Sequence, residues 1–283
     1  MNKVFFHSKN NEQKNLQFYY YLLIIFIISG IYKNGFLLYR LNLISLINIF
    51  KPFILSIISV VISIIFSFIF KEKIKSYRFI NNLLISLIVM PNISYVYYVI
   101  LLVIVNIIYS FYHFNMPSFY MLILSTFLLF MHKYTYLNAF ESTNNLNYNF
   151  WDYLFGKGFG GISNTFLLAT IIISIILICR SEYKKSLLLS FLSVYYIILF
   201  ISLFITKNLA ITNIINNNVL FASVFIAPLS LYSPYTKGGC YLYGALLAII
   251  VFAFSFWHIE IGLYLGISLL SIFKKFLDRL FVR

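Results

Sequence analysis

Four histidines and seven carboxylates are all that this 283-residue chain offers for acid–base work, and no two of them stand at a spacing that builds an active site. His258 and Glu260 fall beside Trp257 at a tight turn between the last two apolar runs. There they read as groups facing interfacial water, with a proton relay as the alternative. His113 and His132 close two other apolar runs, which places them at an interface rather than in a metal site. Cys179 and Cys240 have no close ligand spacing and no neighbouring histidine, so both read as small apolar fillers. HExxH, P-loop, GxSxG and paired-carboxylate patterns are all missing. Self-contained hydrolysis is unsupported, and no metal site is expected.

Two glycine-containing stretches have a different use. Gly156-Lys157-Gly158-Phe159-Gly160-Gly161-Ile162-Ser163-Asn164-Thr165 precedes an apolar run. Its glycines let backbone approach a ligand, and exposed N–H groups at a helix start hold phosphate; a flexible loop with small packing residues is the plainer reading. Ser233-Pro234-Tyr235-Thr236-Lys237-Gly238-Gly239 reads as a turn between spans.

The elements that must position these groups are membrane spans. Apolar residues make up 62% of the chain and charged ones 10%, and mean hydropathy is +0.92. A soluble domain carries roughly a quarter charged residues. The apolar residues also come in runs long enough to cross a bilayer. The formal charge of +14 does not mark a nucleic-acid binder, because Lys and Arg lie in short loops and no basic stretch forms a domain. Abundant Ile, Asn, Lys and Tyr lower the information in any single Asn or Tyr.

The pattern predicts an all-α polytopic membrane protein with about ten spans. They run from Phe18 to Tyr32, Pro52 to Phe70, Phe79 to Met90, Ser94 to Tyr112, Pro117 to Met131, Ile162 to Cys179, Ser186 to Ile205, Val219 to Tyr232, Tyr241 to Trp257 and Ile259 to Phe273. A loop at Lys33-Asn34-Gly35 follows the first. Met1 to Gln17 lacks a small-residue cleavage site and reads as a retained cytoplasmic tail. With both ends inside, fifteen of the 21 Lys and Arg residues fall in cytoplasmic segments, as the positive-inside rule requires. The expected location is a bacterial cytoplasmic membrane.

Asn81-Asn82-Leu83-Leu84 opens a short run that stops at Pro91, and Asn217-Asn218-Val219-Leu220 opens one interrupted at Pro228. In this topology the two enter from opposite sides. Two inverted five-helix repeats account for that, and short Pro-marked segments in such folds mark the functional centre. The implied organisation is a tail at 1–17, a first repeat at 18–131, an outward loop at 132–161, a second repeat at 162–273 and a basic tail at 274–283.

The stretch FASVFIAPLSLYSPYTKGGCYLYGALLAII resembles the second-half core of the RnfD and NqrB family, membrane components of Rnf complexes and of the sodium-pumping NADH:quinone reductase. Ser233-Pro234, Thr236-Lys237-Gly238 and Tyr243-Gly244-Ala245 keep its frame, while Leu229 stands where the family has an acid. DYLFGKGFGGISNTFLLATIIISIILI is similar to its Gly-Ser-Ile-Gly-Glu-Thr-Ser and following helix, with Gly160, Ile162 and Thr165 matched and Asn164 replacing the Glu. FFHSKNNEQ, GIYKNGFLLYR and NNLLISLIVMP resemble further family segments in the same order.

The resemblance implies FMN linked through phosphate to a Thr in a Ser-Gly-Ala-Thr motif. That motif is replaced here by Asn138-Ala139-Phe140-Glu141-Ser142-Thr143-Asn144-Asn145-Leu146. Register puts Asn144 at the attachment position, with Thr143 next to it. Thr143, Gly160, Gly161 and Thr165 are the candidate cofactor residues. The partners implied are the lipid bilayer and other subunits of an Rnf-like complex, with no nucleic acid. Three functions stay open: a subunit coupling electron transfer to ion movement, a flavin-free scaffold of such a complex, and a channel or transporter for a small solute.

Overall fold

The computed structural model describes residues 9–40, 42, 44–71, 77–89, 93–112, 151, 154–155, 161–163, 166–206 and 217–281. Within its helices, side chains are described except at 9–15, 111–112, 206, 217 and 255–261. Regular structure among these residues is helical throughout. The elements are α1 (Lys9–Gly30), a π-helical stretch (Ile31–Leu37), α2 (Leu38–Arg40), a 3-10 turn (Leu46–Phe50), α3 (Lys51–Ile69), α4 (Tyr77–Ile88), α5 (Tyr95–Tyr112), α6 (Leu167–Cys179), α7 (Lys185–Thr206), α8 (Asn217–Phe225), α9 (Lys237–Ile272) and α10 (Lys274–Phe281). Among the described residues, four segments are long and apolar enough to cross a membrane: Leu16–Arg40, Leu46–Ile69, Lys185–Ile205 and Lys237–Phe254. The shorter helices Tyr95–Ser110, Leu167–Cys179 and Gly262–Ile272 are also apolar. The chain is a multi-pass membrane protein.

The chain divides into two compact units. One holds Glu12–Ser110 with Met131–Ile173; the other holds Ser174–Arg283 with Met1–Asn11 and Phe111–Phe130.

In the unit that holds α3, the usual polarity of a helix is turned inside out. Its buried face is Pro52, Leu55, Ser56, Ser59, Ile62, Ser63 and Ser67, which share one side of the helix. The exposed face is Phe53, Ile57, Val61, Ile64, Ile65 and Phe68. Lipid is as apolar as a protein core, so the outer face gains nothing by turning inward. Small hydroxylated residues turn inward instead, where they allow close approach and hydrogen-bond across helices.

The short helix α4 packs on that serine face and is buried from Arg78 to Ile88 on all its sides. Its 12 residues make it about 18 Å long. That is well short of a hydrocarbon core of about 30 Å. A helix that ends at mid-depth leaves carbonyls that lipid cannot satisfy. Residues 161–163 satisfy them: the Ile162 amide donates to Val89 O at 2.8 Å and the Ser163 amide to Leu87 O at 3.0 Å.

The first span departs from the sequence expectation. Lys33, Asn34 and Gly35, expected in a loop, are buried within the π-helical stretch, so the helical path continues to Arg40. Tertiary contact explains this. A Cβ on Gly35 would strike the Ile49 carbonyl of the 3-10 turn, and Asn34 Nδ2 donates to the Ile162 carbonyl. Those partners remove the polar cost of keeping the segment inside.

In the other unit α7 packs along α9. Gly244 lies against the Leu187 carbonyl and Ser190, where a Cβ has no room. Helix assignment is continuous over Lys237–Ile272, yet the chain folds back on itself. A Cβ on Gly266 would lie 3.0 Å from Leu247 Cδ1 and 3.1 Å from Ile250 Cγ2. A straight helix would hold residues 247 and 266 about 28 Å apart. The two apolar segments of α9, Lys237–Phe254 and Gly262–Ile272, therefore run antiparallel, as the tight turn near His258 and Glu260 requires.

Candidate functional site

Two clusters of polar side chains are built into the helices, one in each unit. The first is centred on α4. Arg78 has no exposed surface. Its guanidinium donates to Asn106 Oδ1 at 3.1 Å and to Ser110 Oγ at 3.0 Å. The rings of Phe66, Phe70 and Tyr109 surround it, with Tyr109 at 4.9 Å. Cation–π contacts of this kind are strongest where water is excluded.

One turn along α4, Asn82 donates to Ser63 Oγ at 2.7 Å and to Asn106 Oδ1 at 3.2 Å, and accepts from Asn106 Nδ2 at 3.2 Å. Ser59 donates to the Asn82 carbonyl at 3.0 Å and hydrogen-bonds Tyr98. Ser86 continues the line to Ser56 at 3.2 Å. The result is a file of amides and hydroxyls running beside a fixed positive charge.

Asn81 departs from this pattern. It is fully buried, and neither atom of its amide has a hydrogen-bond partner among the described residues. A buried amide without a partner among the described residues is rare.

The second cluster surrounds the end of α8 and the turn before α9. The helix stops at Phe225, three residues before Pro228, whose ring cannot continue it. Carbonyls exposed by the break are met by side chains. Tyr183 Oη donates to Val224 O at 2.9 Å. Lys184, 8% exposed, donates to Ser233 Oγ at 2.7 Å, Pro234 O at 2.8 Å and Ser233 O at 3.3 Å. Lys274 donates to Leu231 O at 2.7 Å. Asp278 of α10 accepts from the Tyr235 amide at 2.9 Å, the Thr236 amide at 2.8 Å and Thr236 Oγ1 at 2.8 Å. Thr236 in turn caps α9 by accepting from the Gly239 amide at 3.2 Å. Cys240 is buried beside this turn, its Sγ donating to Pro234 O at 3.2 Å. Cys179 is exposed.

Beside that turn lies a cavity of about 480 Å³, lined by Glu182, Lys184, Lys185, Tyr235, Lys237, Tyr241 and neighbours.

Of the candidate cofactor residues, Thr143, Gly160 and Thr165 lie outside the described residues. Gly161 is packed on the Ile88 backbone, which a Cβ would strike. The two amides after it are bonded to α4, so they are not available to a phosphate. Around Gly161 the backbone packs closely on the end of α4. Side chains of His258 and Glu260 are also outside the described residues. Leu229 is buried in the turn after α8.

Local sequence patterns give no hint of Arg78, Asn106, Lys184 or Asp278 as site residues, with one exception. Arg78 and Lys184 look like loop charges, and Asp278 is one more charge in a basic tail. Asn106 does leave a signal, being the one strongly polar side chain within the apolar run from Tyr95 to Tyr109.

A sequence model of the NQR2, RnfD, RnfE family matches residues 122–283, more than half of the chain. No curated protein matches it.

Proposed function

The chain belongs to the NQR2, RnfD, RnfE family, and from that premise we propose that it is a membrane subunit of an Rnf-like complex that couples electron transfer to ion translocation. The family match over residues 122–283 carries this reading. The buried file around α4 supports it. An ion leaving water must find oxygens already in place, and Asn81, Asn82, Ser59, Ser63 and Asn106 are neutral groups of that kind. Arg78 beside them opposes a second positive charge. A cation therefore enters only when negative charge arrives nearby, as it does when a redox group is reduced, and this ties ion affinity to electron transfer.

FMN is the cofactor this reading asks for, carrying the electrons. Thr143 has the hydroxyl that a phosphoester needs, and an asparagine at position 144 cannot form one. In-gel flavin fluorescence of the purified chain, with Thr143→Ala as control, tests the attachment. A chain without flavin in any form removes the redox role.

Asn81→Leu is the sharper test of the ion path. It deletes no hydrogen bond among the described residues, so assembly should stay at wild-type level. Donor-driven ion uptake into inverted vesicles should fall at least about tenfold, the cost of about 1.4 kcal/mol at one unmet ligand. Unchanged uptake by assembled Asn81→Leu complexes would remove Asn81 from the pathway.

A second reading has its own support. Leu229 is apolar and buried where the family has an acid, and the Ser-Gly-Ala-Thr motif is replaced. A flavin-free scaffold fits both facts. It predicts that the other subunits fail to assemble without this chain, whereas Thr143→Ala leaves electron transfer intact.

A further inference from the structure

The cavity beside Tyr235 has a lining with a chemistry of its own. Lys184, Lys185 and Lys237 line it together with Glu182, and Asp278 holds the backbone of Tyr235 at its edge, so three positive charges stand with two negative. Lys184 is held in place by its bonds to Ser233 and Pro234, with its ammonium 5.0 Å from the centre of the Tyr235 ring. It is a fixed charge in the cavity wall. Lys185 and Lys237 are more exposed and can close on a ligand. They are also the first residues of α7 and α9. The positive dipole end of α7 thus adds to the lysine charge, while that of α9 is met by Asp278 and the Thr236 cap.

The level of the cavity identifies the ligand further. Lys185 and Lys237 each begin a segment able to cross the membrane, Lys185–Ile205 and Lys237–Phe254. The start of a span is where lipid headgroups sit. Tyr235 and Tyr241 are 42% and 46% exposed there, as aromatic residues at the membrane–water boundary are. The neighbouring α10, tied to the same turn through Asp278, alternates Lys274, Lys275 and Arg279 with exposed Phe276 and Leu280. That pattern belongs to a helix lying in the interface.

We propose that this cavity is a binding site for the phosphate of an anionic lipid headgroup. Lys185, Lys237 and the N-terminal end of α7 meet the phosphate, Lys184 adds its fixed charge from the wall, and Glu182 limits the affinity.

The full-length chain purified in detergent, mixed with phosphatidylglycerol or phosphatidylcholine, provides the test by native mass spectrometry. Phosphatidylglycerol should be retained in preference to phosphatidylcholine. Lys185→Gln with Lys237→Gln should weaken that retention about thirty-fold, given about 1 kcal/mol per cation at an anionic surface. The matching pair of arginine variants should restore it, Glu182→Gln should strengthen it, and Lys71→Gln in the other unit should leave it unchanged. A folding defect in the glutamine pair would spare neither the arginine pair nor the Glu182→Gln gain, so those arms keep the result interpretable. Equal retention of the two lipids, or full retention by the glutamine pair, overturns the proposal. Displacement of phosphatidylglycerol by millimolar inorganic phosphate overturns the lipid assignment in favour of a soluble phosphate.

Discussion

The two units meet the same problem with different chemistry. Each contains a short buried helix, α4 or α8, whose C-terminal carbonyls end where lipid cannot serve them. At α4 the carbonyls of Leu87 and Val89 are closed by backbone amides from Ile162 and Ser163. At α8 and its turn they are closed by side chains: the Tyr183 hydroxyl and the ammonium groups of Lys184 and Lys274. Amide closure is neutral and leaves α4 surrounded by dipoles and one buried guanidinium. Ammonium closure puts net charge at the turn and makes it a surface that attracts anions. The difference separates a neutral, hydrogen-bonded helix end from a charged one.

Four substitutions put that contrast to the test, each read as the thermal unfolding midpoint of the purified chain. Gly161→Val should do the most damage, since its branched carbon must displace the Ile88 backbone and the amide closure with it; about 3 kcal/mol or more is expected. A near-wild-type midpoint would show that residues 161–163 are not fastened to α4. Asn106→Leu comes next at about 2–3 kcal/mol, because it leaves the buried Arg78 and Asn82 short of acceptors. Lys184→Met should cost about 2 kcal/mol by stranding Ser233 and Pro234 oxygens. Its loss should also be the most salt-dependent of the set if charge sets the character of this turn, and equal salt response in Asn106→Leu would erase the contrast. Asp278→Ala is the mildest at about 1 kcal/mol, as for a lost helix cap, because the carboxylate is only partly buried.

Much of the fold was legible in the sequence because hydropathy is a local sum. Apolar runs forced spans, Pro228 forced an early end to α8, and the turn near His258 had to separate two apolar runs. The serine spacing in α3 is also readable once the apolar face is assigned to lipid. The site was less legible for a definite reason. Arg78 and Lys184 sit at the ends of apolar runs, where a charge ordinarily reaches water, so local reasoning assigned them to loops. Lys33, Asn34 and Gly35 were misplaced the same way.

Residue order and composition are therefore enough to establish the solvent of this protein and the family it belongs to, since both are written along the chain. Which polar groups lie inside was settled only by packing in three dimensions. A buried cation or amide is stable only when partners distant in sequence supply its bonds: Asn106 for Arg78, Ser63 for Asn82, Ile162 for Asn34, and Pro234 for Lys184. The cost of burial is set by those partners and not by the neighbours in the chain.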